Sequence, residues 1–302
     1  MNSKEFIVLK QRNWAKRKGL ELVSGNIPAI GEKNYVNHLS DNLFESLTEE
    51  SIKYYCSGSG NEIKDQEDRL AKMKALRSSS ALVVNLFQYW QGKDVTPILN
   101  ACRLTSRTNT TDAMTAPLNY EIKFEEQFEI SKRLFRFPPN IDVVISAPLS
   151  EIAIEAKFIE PYDSNHKKGI KQVYVENISF WEGLPNLYEL AKEISPDNTR
   201  FRYLDAAQLI KHILGLRNDC HCAQEKSARR LKRKFHLLYL WYDVLGEEGV
   251  EHRKEIEQFA EIAKKDNVKF SHITYQEVIM KLAQAFYKGN EAYCDYLIDR
   301  YL

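Results

Sequence analysis

Asp142, Glu155 and Lys157 are the residues whose types and spacing point to chemistry. Glu155 and Lys157 stand two apart in the apolar segment IAIEAKFI. On a β-strand they share one face, while Ile154, Ala156 and Phe158 take the other. Asp142 opens the preceding segment, IDVVI, and a hairpin through SAPLSE brings it beside Glu155. Two carboxylates and an amine within reach of one another suit phosphodiester hydrolysis. The carboxylates bind Mg²⁺ (or Mn²⁺) through oxygen and leave positions for water and phosphate. The lysine orients or helps deprotonate the attacking water and offsets charge on the phosphate. Without a metal, the same side chains form an ion pair on a surface hairpin.

The elements that must position these residues are read from hydrophobic periodicity. In SSSALVVNLFQYW, Leu82, Leu86 and Tyr89 recur at helical spacing, so a buried helix follows the serines. Ser79, Ser80 and Asn85 cap that helix or touch phosphate. Tyr120, Ile122 and Phe124 alternate, as do Phe128 and Ile130, but the phase breaks at Glu125 and Glu126. That pattern predicts a strand carrying a bulge, or two short strands. Pro185 to Ile194, LDAAQLIKHILGL, GEEGVEHRKEIEQFAEIAKK and a last segment after ITYQEV read as helices, and FHLLYLWYDV as a buried strand. The order predicts an α/β protein with a mixed central β-sheet flanked by helices. Residues 1–62 read as an N-terminal extension ending in a linker at SGSGNE, and residues 63–302 as the main domain.

Composition excludes more than it selects. A hydrophobic content of 43% supports a packed core, and the net charge of +1 does not announce a nucleic-acid binder, so local runs must decide. Arg229, Arg230, Lys232, Arg233 and Lys234 cluster in SARRLKRKF, a partner for backbone phosphates or a solvated helix end. Tyr162, His166, Lys167 and Lys168 follow the Glu-x-Lys strand closely and are further candidates for phosphate contact. The odd, scattered cysteines fit a reducing compartment. Cys220, His221 and Cys222 invite a zinc reading but lack a second pair. The polar start MNSKEF and the lack of a long apolar run predict a cytoplasmic protein without a membrane span.

The string PPN-ID-VVI, followed after a turn by IAIEAK, resembles the PD-(D/E)XK nuclease superfamily, with Asn140 and Ile141 between the proline and the aspartate. SSSALVVNLF, KFEEQFE, AAQLIKHILGL, FHLLYLWYDV and ITYQEV stand in an order similar to that of an uncharacterised restriction-endonuclease-like family, across roughly residues 75 to 285. The resemblance implies a restriction-endonuclease-like core and a Mg²⁺-dependent endonuclease acting on DNA in restriction or defence. It also implies a further acidic metal ligand upstream, Glu126 or Glu125, with Glu126 slightly favoured, and a polar residue, Gln208, near the scissile phosphate. Double-strand cutting takes two active sites, which a homodimer supplies. The alternative is a nuclease-like fold that binds nucleic acid or a protein without cleaving.

Overall fold

Period-two alternation dominates the middle of the chain, and the computed structural model resolves it into a sheet with both faces covered. The structure describes residues 1–57, 62–104, 120–147, 150–164, 167–226 and 234–302. Among them, α1 (Ser3–Arg17), the short strands β1 (Leu22–Ser24) and β2 (Lys33–Val36), α2 (Glu49–Ser57), α3 (Ser79–Phe87) and α4 (Thr96–Ala101) precede the main sheet. Then come β3 (Glu121–Gln127), β4 (Asn140–Ala147), β5 (Ser150–Lys157), α5 (Gln172–Glu176), α6 (Pro185–Glu193) and α7 (Ala206–Lys226). The chain ends with β6 (Lys234–Trp241), α8 (Glu247–Lys265), β7 (Phe270–Thr274), α9 (Tyr275–Ala285) and α10 (Glu291–Tyr301).

The main sheet has the order β3-β4-β5-β6-β7. Its first three strands are antiparallel neighbours, and β6 and β7 run parallel to β5 and to each other. Parallel pairing needs crossovers, which α5 to α7 and then α8 provide. Ile152, Ile154 and Ala156 of β5, with Leu238 and Leu240 of β6, pack in one cluster with Leu82, Ile279 and Leu297 of α3, α9 and α10. Ala153, Leu237, Tyr239 and Trp241 pack in the other, with Leu187, Ile213 and Phe259 of α6, α7 and α8. Burial on both faces explains why β5 and β6 read as nearly continuous apolar runs. The predicted mixed sheet flanked by helices is the architecture found.

Three differences from the expected elements matter. The region around Glu125 is one strand whose register with β4 continues across the break, Phe124 opposite Val143 and Glu126 opposite Ile141. Glu125 absorbs the phase change itself, with φ at 52°. The helix begun by AAQLIKHILGL runs on through Cys220, and α10 follows α9. Residues before the linker also reach the core, since Ile7, Leu43 and Tyr55 belong to the cluster under the sheet. Arg300, 1% exposed, ties them to the C-terminal helix: its guanidinium donates to Asn42 O, Asn42 Oδ1, Gln11 Oε1 and Tyr296 Oη. No helix among the described residues is long and apolar enough to cross a membrane.

Candidate active site

The β4–β5 ladder runs from Ala147 opposite Ser150 to Val143 opposite Ile154. One residue further the strands stop exchanging backbone bonds, and Asp142 Oδ2 accepts the Ala156 N–H at 2.8 Å. A side chain thus satisfies a donor that the ladder leaves open, which fixes the carboxylate at the splayed end of the hairpin. Glu155 and Lys157 lie on the β5 face covered by α7. Glu155 is 1% exposed, and its Oε1 accepts from Lys157 Nζ.

Helix α7 supplies the other wall. Asp205 caps it, its Oδ1 accepting the Gln208 N–H at 2.8 Å. Gln208 and His212 then stand one turn apart on the same side of the helix. Gln208 Oε1 accepts from Lys157 Nζ at 3.0 Å. His212 Nε2 comes within 2.8 Å of Glu155 Oε2, with both side chains 1% exposed. That approach is not aligned as a hydrogen bond: Glu155 Oε2 and both His212 ring nitrogens are without a hydrogen-bond partner.

Charge is unevenly distributed over this group. Burial alone would raise the Glu155 carboxyl, but the Lys157 ammonium and the His212 ring bring it down to about 2. Burial works against the charged Lys157 amine, yet Glu155, Asp142 and Glu160 hold it well above its ordinary value. Asp142 moves the other way. Burial and the Glu155 charge push its carboxyl well up, against the pull of Lys157 and the Ala156 N–H. Glu125 is raised to about 7 by burial and by Glu62 and Glu155, although Asn140 Nδ2 donates to its Oε2 at 3.1 Å. The site therefore holds more carboxylates than cations to balance them.

The structure brings Glu125, rather than the slightly favoured Glu126, to this group. Its left-handed φ turns the strand opposite Asp142, whereas Glu126 lies where its charge is felt by Tyr54 of α2. A non-glycine residue held at positive φ inside a strand is backbone strain of about 1–3 kcal/mol. Among the described residues, no three His, Cys, Asp or Glu side chains converge closely enough to form a metal cluster in this conformation.

Other predicted residues go elsewhere. Lys167 Nζ donates to Glu160 O, and burial lowers its pKa; Lys168 is exposed. Lys234 opens β6 opposite Ser150, about 23 Å of strand from the end that carries Lys157. Arg229, Arg230, Lys232, Arg233 and His166 lie outside the described residues. Ser78 caps α3, Ser80 donates to Glu62, and Asn85 is buried against Asn42 O and Tyr301 Oη. Cys220 is buried and its thiol pushed up to about 11 by burial and Asp219, unlike a metal-ligating thiolate.

Two site residues escape the sequence reading. His212 carries a usable signal, since it follows Gln208 by one helical turn, but a lone histidine on an apolar helix face reads as core. Glu62 carries none, because it closes the predicted linker SGSGNE itself, yet its charge is felt at Glu125. The sequence model of a family described as Restriction Endonuclease associating with ARP matches residues 8–302. No curated protein and no solved structure matches the chain.

Proposed function

Because the chain belongs to this family of restriction endonucleases associating with ARP, we propose that it is a metal-dependent DNA endonuclease of PD-(D/E)XK type, serving restriction or defence. The observation that carries the reading is the meeting of Asp142, Glu155 and Lys157 at the splayed end of one hairpin. Asp142, Glu155 and Glu125 would hold a Mg²⁺ or Mn²⁺ ion. Their chemistry fits: burial first, and neighbouring carboxylates with it, raise the affinity of Asp142 and Glu125 for protons, a cost of holding buried negative charge that a bound cation relieves. Mg²⁺ needs only one or two carboxylates when water and phosphate complete its shell, so a closed cluster of three is not required. Bound there, the ion supplies Lewis-acid polarisation of the scissile phosphate.

The remaining work falls to the chain. Lys157, held as an ammonium, donates to the attacking water or to a phosphate oxygen and offsets developing negative charge. That favours the orienting role of the lysine over proton removal. Gln208 fixes the direction of the ammonium, and His212 steadies the Glu155 carboxylate; both are positioning residues. Cutting both strands of a duplex takes two such sites, which a homodimer would supply. The test incubates plasmid DNA with Mg²⁺ or Mn²⁺ and wild type, Asp142→Ala or Lys157→Ala. Wild type should cut and the variants should not; equal cutting by all three rejects the site.

A further inference from the structure

Catalytic residues explain bond breaking but not grip. Asp142 and Glu155 repel a polyanion, and Lys157 already spends two of its three N–H donors on Glu155 and Gln208. The loop joining β3 to β4 carries a different chemistry. Its sequence, Ser131 to Pro139, is SKRLFRFPP, and it leaves the sheet between Glu125 and Asp142, at the catalytic end. Lys132, Arg133 and Arg136 are exposed, and neither arginine has a carboxylate partner among the described residues. Phe137 is 71% exposed, with the Arg136 guanidinium 5.1 Å from its ring centre.

These side chains project from a built support. Phe135 turns inward and stacks on Tyr174 at 4.2 Å with a 13° interplanar angle. Ser131 O accepts the Leu134 and Phe135 N–H groups, and the Phe128 N–H donates to Pro139 O, closing the root. Helix α7 fastens that root with the stripe it presents to the active site. Beyond Gln208 and His212, a Cβ on Gly215 would fall 2.7 Å from Phe128 O, and Asn218 Nδ2 donates to Glu129 O at 2.8 Å. His212 and Asn218 are about 9 Å apart along the helix axis, the rise of roughly two to three nucleotide steps at 3.4 Å each.

We propose that this loop is the DNA-gripping element beside the active site: Phe137 stacks on a base, and Lys132, Arg133 and Arg136 neutralise the flanking phosphates. An outward phenyl ring among cations matches how proteins wedge into or stack on bases while binding the backbone. Two exposed arginines without a carboxylate partner among the described residues leave the loop with uncompensated positive charge, and that charge selects a polyanion. The proposal rests on the nuclease reading for its substrate.

The experiment measures binding of a short fluorescent duplex by the full chain, with Ca²⁺ replacing Mg²⁺, over a range of salt; cleavage is assayed separately. Arg133→Ala with Arg136→Ala should lower the slope of log affinity against log salt by about 1.8, at 0.9 per phosphate. Phe137→Ala should weaken binding on the order of tenfold, leave the slope unchanged, and abolish the fluorescence rise of 2-aminopurine placed in the duplex; Phe137→Trp should restore both. Unchanged affinity, slope and 2-aminopurine signal in these exposed-residue variants overturn the proposal. So does a wild type that binds no DNA, or a Phe137→Ala variant that loses self-association while keeping DNA binding. A wild type that binds through the loop yet never cuts sustains the loop and sinks the nuclease reading; one that cuts with loop variants unaffected does the reverse.

Discussion

Two histidines, His212 and His252, are completely buried, on the same side of the sheet, and the fold treats them in opposite ways. His252 is finished. Its Nε2 lies 3.1 Å from Tyr239 Oη and its Nδ1 3.3 Å from Tyr162 Oη, and the rings of Tyr162, Tyr239 and Trp241 surround it. Burial, with Lys167 and Arg253 nearby, lowers its pKa to about 3, so it stays neutral. His212 is unfinished: its Nε2 has only the close approach to the Glu155 carboxylate, and its Nδ1 has no partner. A buried polar group without a partner costs about 1–3 kcal/mol. On the proposed function, the difference teaches that a core keeps unspent polar atoms where they serve chemistry and uses them up where they serve packing.

The sharpest way to break that contrast is to remove charge from the unfinished region. Lys157→Ala or Asp142→Asn should lower cleavage on the order of 10²–10³-fold or more. Asp142→Asn should leave stability unchanged or raise it, because it relieves carboxylate repulsion, and denaturant melts would read this. A variant that loses both activity and stability would make the site structural. Next come the histidines themselves. If Glu155 is the proposed metal ligand, His212→Leu should lower kcat roughly 10–100-fold, as changes behind such a carboxylate do, with stability nearly intact. His252→Phe should lower stability by about 1–3 kcal/mol by stranding the Tyr239 hydroxyl, with activity per folded molecule preserved. If the two exchange phenotypes, the comparison fails.

Much of the unfinished region is legible from residue spacing alone. Period two puts Glu155 and Lys157 on one face and the hairpin returns Asp142 to them, whereas Gln208 comes only from the family resemblance and its bond to Lys157 is the structure's addition. The choice between Glu125 and Glu126 is not legible, because it turns on a left-handed φ that residue type announces only for glycine, asparagine or aspartate. Glu62 and the β3–β4 loop are hidden for different reasons. The first acts by its charge from within a predicted linker, and the second disperses its cations among apolar residues, so it never forms a run like 229–234. The finished region reads as core in sequence except at Tyr162, expected to contact phosphate but buried with its hydroxyl donating to Tyr242 O.

Acid should separate the histidines by stability. Between the ordinary histidine value of about 6.5 and the folded value of about 3, the unfolded chain binds a proton at His252 that the native protein refuses. Stability therefore falls as pH drops through that window, by at most about 1.4 kcal/mol per pH unit from this residue. Urea titrations should show that share missing from His252→Phe. A slope identical to wild type would mean that burial does not keep the ring neutral.

The smallest effect tests how the finished and unfinished regions grade into one another. Gln208 spends its oxygen on Lys157, so it belongs to the site through one neutral hydrogen bond at 3.0 Å. Such a bond contributes about 0.5–1.5 kcal/mol, and Lys157 keeps Glu155 as a partner without it. Gln208→Leu should therefore lower kcat no more than about tenfold, leaving KM unchanged, because only the ammonium loses direction. A loss as deep as that of His212→Leu, with KM rising as well, would mean that Gln208 touches the phosphate itself. The helix would then be part of the substrate site rather than the support of its lysine.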